Sequence, residues 1–237
     1  GGLVAMAGAL AEYFGAIEGA SLEANKGAYS YAWMIIFAVI AAIMVLIGLY
    51  HIRMLPSNQI PSTTKKTTSE VGRELVAVIA NFFTKKHIFY YICFIILYRL
   101  AEGFIMKIAP LFLRASREVG GLGLSLKEIG TLNGVFGSAA FVLGSLLAGI
   151  YVSKFGLKRT LFTLCCIFNL PFVAYTFLAV TQPTNVYLIG TCITMEYFGY
   201  GFGFVGLTLF MMQQIAPGKH QMSHYAFASG IMNLGVM

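Results

Sequence analysis

Residues 88–113 read IFYYICFIILYRLAEGFIMKIAPLFL, an apolar run interrupted by Arg99, Glu102 and Lys107. A bilayer core about 30 Å thick is crossed by roughly 20 helical residues, so the run is long enough to span. Charge at that depth costs about 2.5–3.5 kcal/mol per residue on insertion scales. A span that keeps three such groups is expected to turn them toward a water-filled route or a binding site. At about 100° per residue, Glu102 lies about 60° to one side of Arg99 and Lys107 about 80° to the other. The three therefore share one face, as an inward polar stripe requires.

The rest of the chain has the same character. Of 237 residues, 58% are hydrophobic and 11% charged, against about 25% charged in soluble domains. The excess comes in long runs without strand-like alternation, which predicts an all-α, multi-pass membrane protein embedded in a lipid bilayer. The net charge of +7 sits in a few loops, a pattern of membrane topology and not of nucleic-acid binding. Cys93, Cys165, Cys166 and Cys192 all fall in apolar runs, without CxxC or Cys/His metal spacing. They read as small hydrophobes, and neither a metal nor a cofactor is expected.

Outward from 88–113, residues 1–11 read as the tail of one helix, and residues 12–30 as a polar connection with Glu12, Glu18, Glu23 and Lys26. Residues 31–50 form an uncharged span with Trp33 and Tyr50 near its ends, where interfacial anchors sit. Residues 51–87 are polar, with Pro56, Pro61, the stretch STTKKTTSE and an amphipathic VGRELVAVIANFF. They read as an inter-domain linker. A polar loop at 114–128 leads to a charge-free span, 129–152. An apolar hairpin follows, with arms 160–181 and 185–212 turned around Pro183 and with Pro171 expected to kink the first arm. A last span starts at Tyr225. The expectation is five complete and two partial transmembrane helices. The chain opens on Gly1–Gly2 and stops at Met237 within an apolar run, which reads as the middle and later part of a longer protein.

Lys and Arg number six, three and one in loops 51–87, 153–159 and 213–224, and one, three and none in loops 12–30, 114–128 and 182–184. The positive-inside rule then puts the first set in the cytoplasm.

One of those cytoplasmic turns carries a motif. GSLLAGIYVSKFGLKRT (144–160) holds Gly149, three residues, Ser153, Lys154, Phe155, Gly156, Leu157, Lys158 and Arg159. It resembles the loop motif of the major facilitator superfamily: Gly, three residues, Asp, Arg/Lys, any, Gly, any, Arg/Lys, Arg/Lys. Gly149 would let two helices approach closely and Gly156 would permit a tight turn. The basic residues would hold the loop at the membrane face and bond helix C-termini. Ser153 departs from the motif, since the acid that contributes to a conformational gate in the superfamily is missing. The resemblance implies a partial helical bundle of major-facilitator type: the end of an N-terminal bundle (1–50), an inter-bundle linker (51–87) and most of a C-terminal bundle (88–237).

Further segments are similar to AmpG-type muropeptide permeases: LYRLAEGFIMKIAPLFL (97–113), REVGGLGLSLKEIG (117–130), QPTN (182–185), EYFGYGFGF (196–204) and HYAFASGIMNLG (224–235). That likeness implies a permease that imports sugar-linked peptides into the cytoplasm for peptidoglycan recycling; a monomer in the bacterial inner membrane is expected, with H+ as the coupling ion on the reading of Glu196 below. The same branch resembles acetyl-coenzyme-A carriers, so another anionic small-molecule solute is equally implied.

Among individual residues, Arg99 is the expected solute contact, because a guanidinium takes a carboxylate in two-pronged fashion. Glu102, at i, i+3 from Arg99, can also form an internal pair with it. Lys107 is the third candidate on this face. Glu196 lies mid-span with no charged residue within 20 positions, which suits a carboxylate that cycles a proton. Tyr197 and Tyr200 could stack on sugar rings or pack against a neighbour. Small residues at four-residue spacing, Gly130/Gly134/Ser138 and Ser145/Gly149, are expected to seat a partner helix. His51, His87, His220 and His224 fall near cytoplasmic ends and read as interfacial or solvated. A membrane enzyme would need a catalytic constellation that these residues lack. A channel or a non-transporting sensor would differ from a carrier in conductance or in solute flux.

Overall fold

The computed structural model describes residues 2–17, 23–54 and 67–237. Glu18, Pro56, Pro61 and residues 62–66 of the linker lie outside them. The described chain is helical throughout, with no strand among these residues.

Ten α-helices follow one another among the described residues. They are α1 (Gly2–Tyr13), α2 (Lys26–Met54), α3 (Thr68–Phe83), α4 (Ile88–Arg114), α5 (Leu126–Thr131), α6 (Ser138–Phe155), α7 (Leu157–Asn169), α8 (Pro171–Thr181), α9 (Val186–Phe210) and α10 (Gln221–Leu234). A π-helical turn, Leu132–Gly137, joins α5 to α6 without a break, and a second, Met211–Ile215, ends α9.

Among the described residues, four segments are long and apolar enough to cross a membrane: Lys26–Met54, Ile88–Arg114, Leu126–Phe155 and Leu157–Thr181. The expected arm 185–212 appears as α9, whose 25 residues reach about 37 Å at 1.5 Å each. Its glycines, tyrosines and Glu196 dilute its hydropathy. It packs on α6, α7 and α8, and ten of its residues are buried. By contrast, most of α2 is exposed.

Local chemistry sets the ends. The Pro171 kink is present as a break: α7 stops at Asn169 and Pro171 is the first residue of α8. After Gln182 closes α8 in the left-handed region (φ 39°), the Asn185 side chain accepts the Tyr187 N–H at 2.9 Å and starts α9. Gly156 lies at φ 79°, ψ 145°, a conformation reserved for glycine, and so makes the turn foreseen for it. Lys154 lies over the Phe155 ring, Lys158 and Arg159 are exposed, and the Ser153 hydroxyl donates to the Ile150 carbonyl at 2.9 Å.

The small-residue seam differs from the expected one. A Cβ at Gly149 would meet nothing within 4 Å among the described residues, so its helix does not approach a neighbour there. The close crossing lies one turn away: a Cβ at Gly144 would fall 2.4 Å from the Phe198 carbonyl oxygen, and one at Gly201 2.2 Å from that of Phe141. Ser145, part of the expected set, does join the seam, donating from Oγ to the Gly201 carbonyl at 3.1 Å. The buried row of α6 is Ala140, Gly144, Ala148 and Val152, the expected four-residue spacing but one residue out of phase with Ser145 and Gly149.

α3 is an amphipathic helix inside the 51–87 segment, opened by the Glu70 carboxylate accepting the Thr67 N–H at 2.8 Å. Its Val78 and Phe82 are buried where it meets α10. His224 of α10 is fully buried there, its Nε2 3.3 Å from the Val78 carbonyl and its ring against Phe82. This corrects the expectation of a solvated His224; the cause is the docked helix α3, whose partner the sequence does not reveal. Lys85 donates to the Ile215 and Pro217 carbonyls beyond α9. Burial lowers its ammonium pKa from the ordinary lysine value.

Gly201→Ala should destabilise the folded protein by at least ~1–3 kcal/mol through overpacking. Gly149→Ala should be neutral or stabilising by up to ~1 kcal/mol. Thermal unfolding of the two purified variants in detergent checks the contrast; equal midpoints would refute the seam.

Candidate functional site

Two polar groups meet at the middle of the bundle, one on α4 and one on α9. On α4, Arg99 donates from Nε to Glu102 Oε2 at 2.7 Å and from Nη2 to Glu102 Oε1 at 2.8 Å. The i, i+3 spacing puts both groups on adjacent turns, and the planar guanidinium then fits the carboxylate with two parallel bonds. Side-chain exposures of 7% and 10% make this a buried pair and not a surface one. The Arg99 guanidinium carbon also lies 5.5 Å from the centre of the Phe204 ring, a cation–π contact.

On α9, Glu196 Oε2 accepts a hydrogen bond from the Tyr175 hydroxyl of α8 at 2.6 Å. Glu102 and Glu196 line the same crevice, together with Tyr197, Tyr200, Phe168 and Pro171. Its volume is about 60 Å³, room for roughly two waters at ~30 Å³ each. The glycines of α9 make this approach possible: Gly199 would meet the Ile167 carbonyl at 2.7 Å, and Gly203 the Phe168 side chain at 2.4 Å, if either carried a Cβ. Tyr98 of α4 reaches across to donate to the Gly203 carbonyl at 2.8 Å, fixing α4 against α9.

Of the residues singled out in the sequence, Arg99, Glu102, Glu196, Tyr197 and Tyr200 come together. Tyr197 packs its ring on Gly137, where an added Cβ would lie 2.9 Å from the ring. Tyr200 packs among Phe141, Phe168 and Phe204 at centroid distances of 5.2, 5.9 and 5.7 Å. Both therefore pack and line the crevice at once. Lys107 stands apart: it is exposed and donates to the Met237 carbonyl. It lies about 140° around α4 from Glu102, so a shared half-circumference did not bring it to the pair. The loop-motif residues Ser153, Lys154, Lys158 and Arg159 belong to the α6–α7 turn described above and do not line this crevice.

Sequence reasoning missed Tyr175, Tyr98 and Phe204. Tyr175 had a usable signal, since it is a tyrosine in an otherwise apolar arm opposite the arm that carries Glu196. Among the described residues, no group of three or more His, Cys, Asp or Glu is placed to hold a metal.

The family model described as Major Facilitator Superfamily matches residues 2–237. The chain belongs to the major facilitator superfamily. Members of this family are membrane transporters and not enzymes. The chain is 24% identical over 175 residues to the anhydromuropeptide permease of Escherichia coli strain K12, and equally so to that of Escherichia coli O157:H7. Those 175 residues are 74% of this chain and 34% of each relative, so the chain spans about a third of the length of the curated relatives it matches. No solved structure gives a significant match.

Removing one member of a buried ion pair leaves the other charge uncompensated. Arg99→Met is therefore expected to lower stability by ~3–5 kcal/mol, whereas Arg99→Met with Glu102→Met recovers most of the loss. A double-mutant cycle on thermal unfolding measures this; additive losses would show that the pair is not energetically coupled.

Proposed function

We propose that the chain is part of a secondary active transporter that imports cell-wall-derived muropeptides, or a related anionic solute, by proton symport with alternating access. The observation that carries this reading is the buried Arg99–Glu102 pair sharing one crevice with Glu196. It sets an anion-binding group and an isolated carboxylate on two helices that face each other. The likeness to the anhydromuropeptide permeases supports the solute class.

In this reading Arg99 takes a solute carboxylate, and Glu102 yields that place on the guanidinium. Lys107 adds positive charge on the approach, and Tyr197 and Tyr200 meet the sugar rings. Glu196 carries the proton, and Tyr175 holds it between cycles. Residues 1–50 end a first bundle, 51–87 link the bundles and 88–237 form most of the second. The two bundles rock about a solute held between them near the membrane midplane. The Gly156 turn, with Ser153, Lys154, Lys158 and Arg159, lies on the cytoplasmic side of the inner membrane with loops 51–87 and 213–224. The transporter acts as a monomer.

Uptake of labelled anhydro-muropeptide by cells expressing the full-length protein tests the reading. Wild type should show saturable uptake that rises as external pH falls, and Arg99→Ala should reduce it at least about tenfold, ~1.4 kcal/mol of lost binding. In Glu196→Gln the residual exchange of solute should no longer respond to pH. Uptake in Glu196→Gln with the full wild-type pH profile would remove Glu196 from the coupling role.

A further inference from the structure

A second polar cavity, of about 500 Å³, opens at the end of α4 opposite the Gly156 turn. It is walled by α1, by Ala16, Ile17 and Asn25 between α1 and α2, by Tyr29 of α2, by the loop between α4 and α5 and by the first turn of α5. Both walls are built. On one, the buried Asn25 side chain accepts the Ile17 N–H at 2.9 Å and donates to the Ile17 carbonyl at 2.8 Å, pinning the chain after α1. On the other, Arg117 donates to the Gln182 and Pro183 carbonyls at 2.9 and 2.8 Å, and Gln182 donates back to the Gly120 carbonyl at 2.9 Å. The loop is thereby locked to the α8–α9 turn.

The cavity lining carries two cations, Arg114 and Lys127, and two carboxylates, Glu12 and Glu128. Glu12 accepts from Lys127 at 3.3 Å. The Glu128 carboxylate is spent on the Ser125 N–H and hydroxyl, both at 2.9 Å. That leaves the Arg114 guanidinium, exposed to the cavity and without a side-chain partner among the described residues. Ser116 and Tyr29 put hydroxyls on the same lining. An unspent guanidinium beside hydroxyls, in a space of this size, fits an anionic ligand that also carries hydroxyl or amide groups.

α4 connects this cavity to the buried pair. Arg114 lies about 22 Å along the helix from Arg99, with Lys107 roughly midway and within about 20° of Arg114 around the axis. Arg114 and Lys107 thus share one face of α4, which lies about 60–80° around the axis from Arg99. We propose that the cavity around Arg114 is an entry site, which captures the solute's carboxylate before it passes Lys107 to Arg99. The site rests on the transport reading above. It assigns to Arg114 a binding role separate from that of the central pair: it sets how much solute is captured, not how fast the carrier turns over.

The test is concentration-dependent uptake of labelled anhydro-muropeptide, and of the same compound with its peptide carboxyls amidated, by the full-length protein. Rates are normalised to the amount of transporter at the cell surface. Arg114→Ala should raise the half-saturation concentration of the free acid about tenfold while the maximal rate falls less than twofold. Arg114→Lys should return it to within about twofold of wild type, and the amidated compound should be indifferent to both. An unchanged half-saturation, a fall confined to the maximal rate, or an equal effect on the amidated compound would overturn the entry site and leave the central reading standing. If wild type takes up neither compound while folding normally, the transport reading fails and the entry site with it.

Discussion

Backbone-to-backbone contact along α9 is the constraint on which the rest of this structure depends. In a bilayer, lipid tails are as apolar as leucine side chains, so helices gain little from hiding apolar surface against each other and must gain from close packing instead. α9 meets that requirement on two sides. Gly201 admits the backbone of α6, and Gly199, Gly203 and Gly206 admit α7. A smaller version of the same device joins α4 to the end of α10, where a Cβ at Gly103 would lie 2.8 Å from Val236 Cα. Four glycines within eight residues cost helix propensity, roughly 1 kcal/mol each against alanine, and that cost is offset only where the neighbours come this close.

The same approach creates the polar centre. With α7 and α8 drawn against α9, Tyr175 reaches Glu196 across a 2.6 Å hydrogen bond. With α4 tied to α9 by Tyr98, the Arg99–Glu102 pair is carried to the other side of the same crevice. Neither polar group is left alone in apolar surroundings, where an isolated charge would be most costly. The pair neutralises itself, and Glu196 has a hydroxyl donor.

How much of this the sequence carried depended on whether a feature is local. The spans at 88–113 and 129–152, the break at Pro171, the turn at Gly156 and the Arg99–Glu102 pair are all decided within a few residues of chain, and each was legible. The partners were not. Glu196 stood out as an isolated charge, but nothing in its own span names Tyr175, which comes from the preceding arm. Gly149 looked like a contact residue because the loop motif prizes it, yet the buried row of α6 is that of Ala140, Gly144, Ala148 and Val152. His224 looked solvated because it stands at a helix start, and only the docking of α3 buries it. Lys107 passed a test of angle alone, and the face of a helix that a charge occupies says little until the neighbour on that face is known.

The position of α1 and α2 extends the argument beyond one bundle. α1 lies along α5 and the π turn that follows, and a Cβ at Gly8 would sit 3.5 Å from the Lys127 backbone nitrogen. The contact is ordinary van der Waals spacing, looser than the seam inside 88–237, and α2 touches the remainder chiefly through α1. Close glycine packing holds the helices around α9 together, while α1 joins them along α5 with the Glu12–Lys127 pair at its edge. The π turn at Leu132–Gly137 sits where the two kinds of contact meet, and such turns cluster at functional sites because their looser hydrogen bonding lets a helix change its angle at low cost.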